Sequence, residues 1–463
     1  MKKYGVLFLI LGVFTGVLSS CSDDDDKFIP QLKVVSQSGG FTVMQDDTLR
    51  LSVESNLCPD ANYIWTIKDE VVAQGLKFDY IAKELGDQKI TVSVACSSGE
   101  VSADVAVEVY GKYKYGTFIL NEGSAEKPSF LSFISQKGVI TDSVYFKENG
   151  GEALGVYSQD LFIANNKMYI VSQKGDGAGF LAVVNAETLK KERNFQSELE
   201  RKVNWPTHVA VLGEDDIYLR DNEGIKVFHP STGDVDLVDG TQGALKNTMV
   251  VVGNKIYACV NNSVVEIESG KNEISHKTDF DGTVVGVTKS SDKNIWVITD
   301  KGIIAKMNTA TCKVEKSNKL EGEVMQAFER LYASTSAVTA KGDTLYINGS
   351  KTKIFRHIFS KNKTELMVDA SSVLENGKQP YNTVAVHPLT GEVVLNTNKG
   401  WGTDVYLLIL VVRSLESVRI IKIILFHLQE SFSHTTLNKT YNEKIFFPLF
   451  IVRDICRRFF LLQ

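Results

Sequence analysis

The sequence predicts an all-β chain: an N-terminal β-sandwich followed by a seven-bladed β-propeller with a truncated last blade. Three observations carry this. Short segments such as "TLRLSVESNL" and "KITVSVACS" alternate apolar and polar residues at period two, as half-buried strands do. A longer unit then recurs: apolar strand, Gly/Asn/Asp turn, aromatic-centred strand, polar loop, further strand. Its centres, Tyr169, Tyr218, Tyr257, Trp296, Tyr346 and Val394, lie roughly 40 to 50 residues apart, the length of a propeller blade.

Residues 1–20 read as a secretory signal: Met1-Lys2-Lys3, then an apolar run from Gly5 to Leu18 that is too short for a membrane span. Leu18-Ser19-Ser20-Cys21 resembles a bacterial lipobox, which implies acylation of Cys21 and cleavage before it. Residues 21–30 form an acidic linker. Its "SDDDDK" resembles the export signal of surface lipoproteins in Gram-negative gut anaerobes; a solvated spacer is the alternative. The expected location is the outer membrane, lipid-anchored, at the cell surface.

A net charge of -5 gives no basic footprint for nucleic acid. No two of the six cysteines form a CxxC pair, so neither a zinc ribbon nor a thioredoxin-type centre is indicated.

Residues 31–111 carry strands separated by "SGG", "CPDAN" and "SSGE", the pattern of a sandwich. "YIW", "LGDQKITVSVACSSG" and "VAVEVYG" together resemble an immunoglobulin-like domain of the PKD type, which implies a spacer or adhesion module. Cys58 and Cys96 flank Trp65; a disulfide between them and two separate thiols both remain open.

Residues 112–406 hold the repeats. The first unit, "YGTFILNEG", "PSFLSFIS" and "VITDSVYF", lacks an innermost strand; with the six units above it makes seven blades. Such a ring is expected to close with a strand from the C-terminal part, because closure removes sheet edges. Beyond Tyr406 the composition changes. Residues 407–463 contain no glycine and are dense in Phe426, Phe432, Phe446, Phe447, Phe450, Phe459 and Phe460. They read as an aberrant tail, from a frameshift, that replaces the last two strands of blade seven and packs poorly.

No HExxH, GxSxG or Walker loop is present. "GDGAG" at 175–179 lacks dinucleotide-binding spacing, and "EDD" at 214–216 is a hairpin turn. His208 and His387 are placed at matching repeat positions and assigned to packing. Neither a metal nor a cofactor is indicated, and the chain is expected not to be an enzyme. What converges is geometric. Turns between second and third strands share a face with the inter-blade connectors. That face collects Asn121, Glu122, Gln173, Arg220, Asn222, Asn261, Asn398 and Trp401 from the turns. The connectors add Trp205, Phe328, Arg330, Tyr332 and Tyr381. Aromatic platforms with directed polar groups suit a bulky polar ligand.

"FILNEG", "GEALGVYSQDLFIANNKMYIVSQ" and "GWGTD" resemble a family of lipid-anchored seven-bladed propellers related to YncE and YVTN proteins, the BtuG type among them. The resemblance implies a surface protein that binds cobalamin or another corrinoid and passes it to a TonB-dependent outer-membrane transporter. An adhesion or glycan-binding protein is the alternative, on the strength of the sandwich; a propeller enzyme ranks last.

Overall fold

A computed structural model describes residues 31–57, 61–96, 99–125, 127–328, 338–349, 352–372, 379–387, 391–398, 405–414 and 417–426. For residues 96, 99, 379–383, 398, 405–414 and 417–426 it describes only the backbone. The chain divides into two units, Met1–Lys112 and Tyr113–Gln463.

The first unit is a β-sandwich. One sheet orders Leu32–Ser36, Thr48–Ser55 and Lys77–Ile81; the other orders Thr42–Met44, Gly99–Tyr110, Gly86–Cys96, Asn62–Ile67 and Glu70–Gln74. Alternation does what period two requires. Leu49 and Leu51, and Ile90, Val92 and Val94, turn inward onto a core centred on Trp65. Trp65 is fully buried, and its indole N–H donates to the Gly75 carbonyl at 2.8 Å. Cys58 lies outside the described residues. Cys96 ends its strand with its side chain outside the description.

The second unit is a β-propeller of seven sheets among the described residues. Blade one has three strands, Gly116–Asn121, Phe130–Ser135 and Ile140–Thr141. Blades two to six each have four antiparallel strands in chain order. They begin at Val156–Ala164, His208–Gly213, Val250–Val252, Val284–Lys289 and Val338–Lys341. First strands lie side by side from blade to blade: the Val209 amide donates to Asp160 Oδ2 at 3.1 Å. Local chemistry sets the hairpins. Asn165 and Asn166, both at positive φ (50° and 61°), make the two-residue turn of blade two that matches the twist of its strands.

The recurring centre residues Tyr169, Tyr218, Tyr257, Trp296, Tyr346 and Val394 are all buried. Two of them latch neighbouring blades. The Tyr218 hydroxyl meets the Glu268 and Lys271 carbonyls of blade four, each at 3.0 Å. The Tyr257 hydroxyl reaches the Thr309 carbonyl of blade five at 3.1 Å.

Three expectations are corrected. The seventh sheet is not truncated: Gln379–Val386, Val393–Asn398, Val405–Ser414 and Ser417–Phe426 pair in order. "VYLLILVVRS" and "SVRIIKIILF" are rich in Val, Ile and Leu, which suit a pleated surface, and a two-residue link suits a hairpin. Residues 427–463 lie outside the description. In blade one, "VITDSVYF" pairs only through Ile140–Thr141; Val144–Glu148 is a short helix. Val144 and Tyr145 are both buried, and adjacent residues of a strand cannot both face one side. Finally, His208 opens its strand opposite Arg220, whereas His387 follows the end of its own. The two histidines are therefore not equivalent, although both are buried.

Candidate functional site

Turns between second and third strands interleave with the connectors that lead from one blade to the next. The Asn204 amide donates to Asp221 Oδ2 at 2.8 Å, and the Asn222 amide to the Asn204 carbonyl at 2.9 Å. Arg220, ending the second strand of blade three, grips the next connector. Its Nε and Nη2 donate to the Ala244 carbonyl at 3.1 and 2.9 Å. The Val284 amide bonds the Asn261 carbonyl at 3.0 Å in the same way.

On this face blade two presents an aromatic pair with a lysine. The Tyr157 and Trp205 rings are stacked, centroids 6.2 Å apart and planes at 28°. Lys174 Nζ lies 5.9 Å from the Tyr157 centroid and 5.5 Å from that of Trp205, within cation–π range. Trp205 is 44% exposed, the one aromatic among the exposed large apolar side chains of the described residues. Local backbone explains its position. Asn204 is fixed at both amide and carbonyl, Pro206 follows, and Trp205 itself has φ 54°. Tyr157 has φ 58°. Left-handed backbone at two bulky residues costs about 1–2 kcal/mol each.

The strand that opens with Tyr157 carries a bulge between Ser158 and Asp160. A bulge re-aims side chains. Ser158 turns inward, 2.7 Å from Ser172 Oγ. Gln159 reaches sideways, and its Nε2 donates to Glu122 Oε1 of blade one at 2.5 Å. Lys246, in the connector held by Arg220, is half-buried and interacts electrostatically with both Glu122 and Arg220. Burial holds the Lys246 ammonium below its usual range, with Arg220 adding to this and Glu122 opposing it. Burial likewise lowers the Arg220 guanidinium, against the pull of Asp221. Blades one, two and three and the connector after blade three thus bring carboxylate, amide, guanidinium and ammonium to one region.

Of the residues singled out from sequence, Glu122, Gln173, Trp205 and Arg220 belong to this region. Asn222 and Asn261 are exposed turn residues on the same face. Asn121 is buried, its amide bonded to Ser132 Oγ at 3.1 Å, so it serves the sheet. Phe328 ends the 3-10 turn Gly322–Phe328 and packs with Trp296, Ile298 and Leu345 in the core between blades five and six. Tyr381 and Asn398 lie on the paired strands Gln379–Val386 and Val393–Asn398, their side chains outside the description. Cys21, Arg330, Tyr332 and Trp401 lie outside the described residues. Sequence reading missed Tyr157, Gln159, Lys174 and Lys246; only the bulge, which leaves no mark in the sequence, brings the first two to this face. Among the described residues no group of three or more His, Cys, Asp or Glu is placed to hold a metal ion, and no helix is long and apolar enough to cross a membrane.

Residues 115–432 match the model of a family described as a domain of unknown function, DUF5074. The chain belongs to this family. The DUF5074 match covers all seven blades, including the two strands beyond residue 404. No curated protein matches. Among solved structures, a quinonprotein alcohol dehydrogenase-like protein from Bacteroides thetaiotaomicron is similar over 84% of this chain and 94% of its own, with TM-score 0.52 and 12% identity. At that identity the likeness bears on the fold alone. A computationally designed protein, Ika8, covers 77% of this chain and 89% of its own at TM-score 0.40 and 11% identity. A structural-genomics protein of unknown function from Bacteroides thetaiotaomicron covers 83% and 85% at TM-score 0.35 and 10% identity.

Proposed function

We propose that this chain is a lipid-anchored surface protein that binds a bulky polar ligand on the connector face of its propeller. The ligand is cobalamin or a related corrinoid, which the protein hands to a TonB-dependent outer-membrane transporter. One observation carries the reading: on this face the half-buried Tyr157 stacks with the exposed Trp205 against Lys174, which follows Gln173, while Glu122, Arg220 and Lys246 gather from the neighbouring blades. A large ligand with an apolar body and many amide and charged groups needs such a mixture of flat apolar surface and directed polar groups. The lipobox at Cys21 and the resemblance of the repeats to BtuG-type propellers support the location and the ligand class. In this reading the protein performs no chemistry on the ligand.

Calorimetric titration of the full chain with cyanocobalamin tests it. Saturable binding at micromolar concentration or tighter is expected. Absence of binding at that concentration, with the propeller folded, would refute the corrinoid assignment. Binding on a glycan array in its place would favour an adhesion role for the sandwich unit.

A further inference from the structure

We infer that Tyr157, Trp205 and Lys174 form a subsite for a nucleotide-like group, a planar heteroaromatic base joined to a phosphate. This deepens the proposed function and rests on its reading that the connector face receives the ligand.

Three features carry it. First, the two rings stack nearly parallel, 28° apart, and Trp205 is exposed where the other described aromatic side chains of the propeller are buried or half-buried. An exposed, backbone-fixed indole is a stacking platform, and a flat π-system fits it better than a puckered ring does. Second, Lys174 has a ring partner where many lysines of the propeller have a carboxylate. Lys167 pairs with Glu214, Lys226 with Asp221, Lys255 with Glu266 and Lys306 with Asp292. The described surroundings of Lys174 supply no such ion pair; its ammonium rests against the two rings instead. A cation held 5.5 Å from the indole centroid stands one short tether from anything stacked there. Third, the arrangement is fixed by the fold. Lys174 pairs with Val156, the residue before Tyr157, across the hairpin, and Trp205 is clamped through Asn204 and Pro206. A neutral sugar would leave the ammonium unused, and a wholly apolar group would desolvate it without a counter-charge. A base with a phosphate uses both parts.

Two sources present this chemistry: the nucleotide arm of a complete corrinoid, and a free nucleotide. Titrating the full-length wild type, Trp205→Ala and Lys174→Gln with cobalamin, with cobinamide (which lacks the base and its phosphate) and with a nucleoside monophosphate separates them. The expected result is tighter binding of cobalamin than of cobinamide by wild type. Each substitution should weaken cobalamin roughly tenfold, as loss of one stacked base or one phosphate contact does, and cobinamide by less than about twofold. Raising the salt concentration should weaken cobalamin selectively. Equal affinity for the two corrinoids in wild type, or equal weakening of both by the substitutions, would overturn the subsite while leaving corrinoid binding intact. If neither corrinoid binds but the nucleoside monophosphate does, and both substitutions abolish it, the subsite holds and the corrinoid reading fails. Binding of none of the three ligands would overturn both. Because Trp205 and Lys174 are exposed, unchanged unfolding midpoints in the two variants serve as the folding control.

Discussion

Lowering the pH should destabilise the propeller through His387, and the size of the effect follows from its surroundings. His387 follows the first strand of blade seven, and its amide donates to the Glu392 carbonyl at 2.7 Å. Its ring is buried. Burial, with the Lys341 ammonium adding to it, pushes the imidazole from 6.5 down to about 4. Above the unfolded value the ring is neutral in both states and nothing is lost. As pH falls from 6.5 towards 4 the unfolded chain takes up a proton that the folded one refuses, so stability declines through that window and levels off below it. The whole shift corresponds to about 3 kcal/mol, of which roughly 2–3 kcal/mol should be lost between about pH 7.5 and pH 4.5. Urea unfolding at the two pH values, followed for wild type and His387→Gln, isolates this contribution, because the carboxylates that also titrate are common to both. The variant should start less stable and lose less on acidification. An identical pH-dependent loss in both proteins would refute the reasoning.

Glu266 of blade four accepts hydrogen bonds from Lys255 Nζ at 2.7 Å, the Tyr257 hydroxyl at 2.7 Å and Cys312 Sγ at 3.0 Å. Burial raises its pKa, but these three donors outweigh burial and hold it low; Cys312 is in turn pushed up to about 12, chiefly by burial. Glu266→Gln leaves buried donors facing an amide and should cost about 2–4 kcal/mol in urea unfolding. Tyr218→Phe removes the latch to blade four and should cost about 1 kcal/mol in the same assay. In the sandwich, Trp65→Ala should cost about 3–5 kcal/mol, seen as an earlier transition of the N-terminal unit with the propeller transition unmoved. Trp205→Ala, by contrast, should change stability by no more than about 0.5 kcal/mol.

The blade period was legible because blades two to six each bury one aromatic in the second strand. Tyr218 and Tyr257 also use their hydroxyls to bridge blades, so the centre residue identifies itself by type as well as spacing. The short sheet of blade one was legible too, because no apolar strand segment precedes "YGTFILNEG" in its unit, and three strands are described there. The site was less legible. Tyr157 lies one residue before a bulge, and a single inserted residue changes which side chains face outward, without any special residue type. Phe328 was misplaced because connectors were read as loops, whereas Gly322–Phe328 coils into a 3-10 turn that buries its last residue. The final hairpin was hidden because strands without flanking glycines or clean alternation look like a helix or an aberrant tail. Apolar β-branched content was the signal that remained.

Amide hydrogen exchange, with and without saturating cyanocobalamin, tests the ligand face most directly. Slower exchange is predicted at residues 157–160, 173–176, 204–207, 220–224 and 244–247, which meet on the connector face. Protection confined to the opposite hairpin turns at 165–166, 214–215 and 269–271, or to the sandwich, or absent throughout the chain, would contradict it.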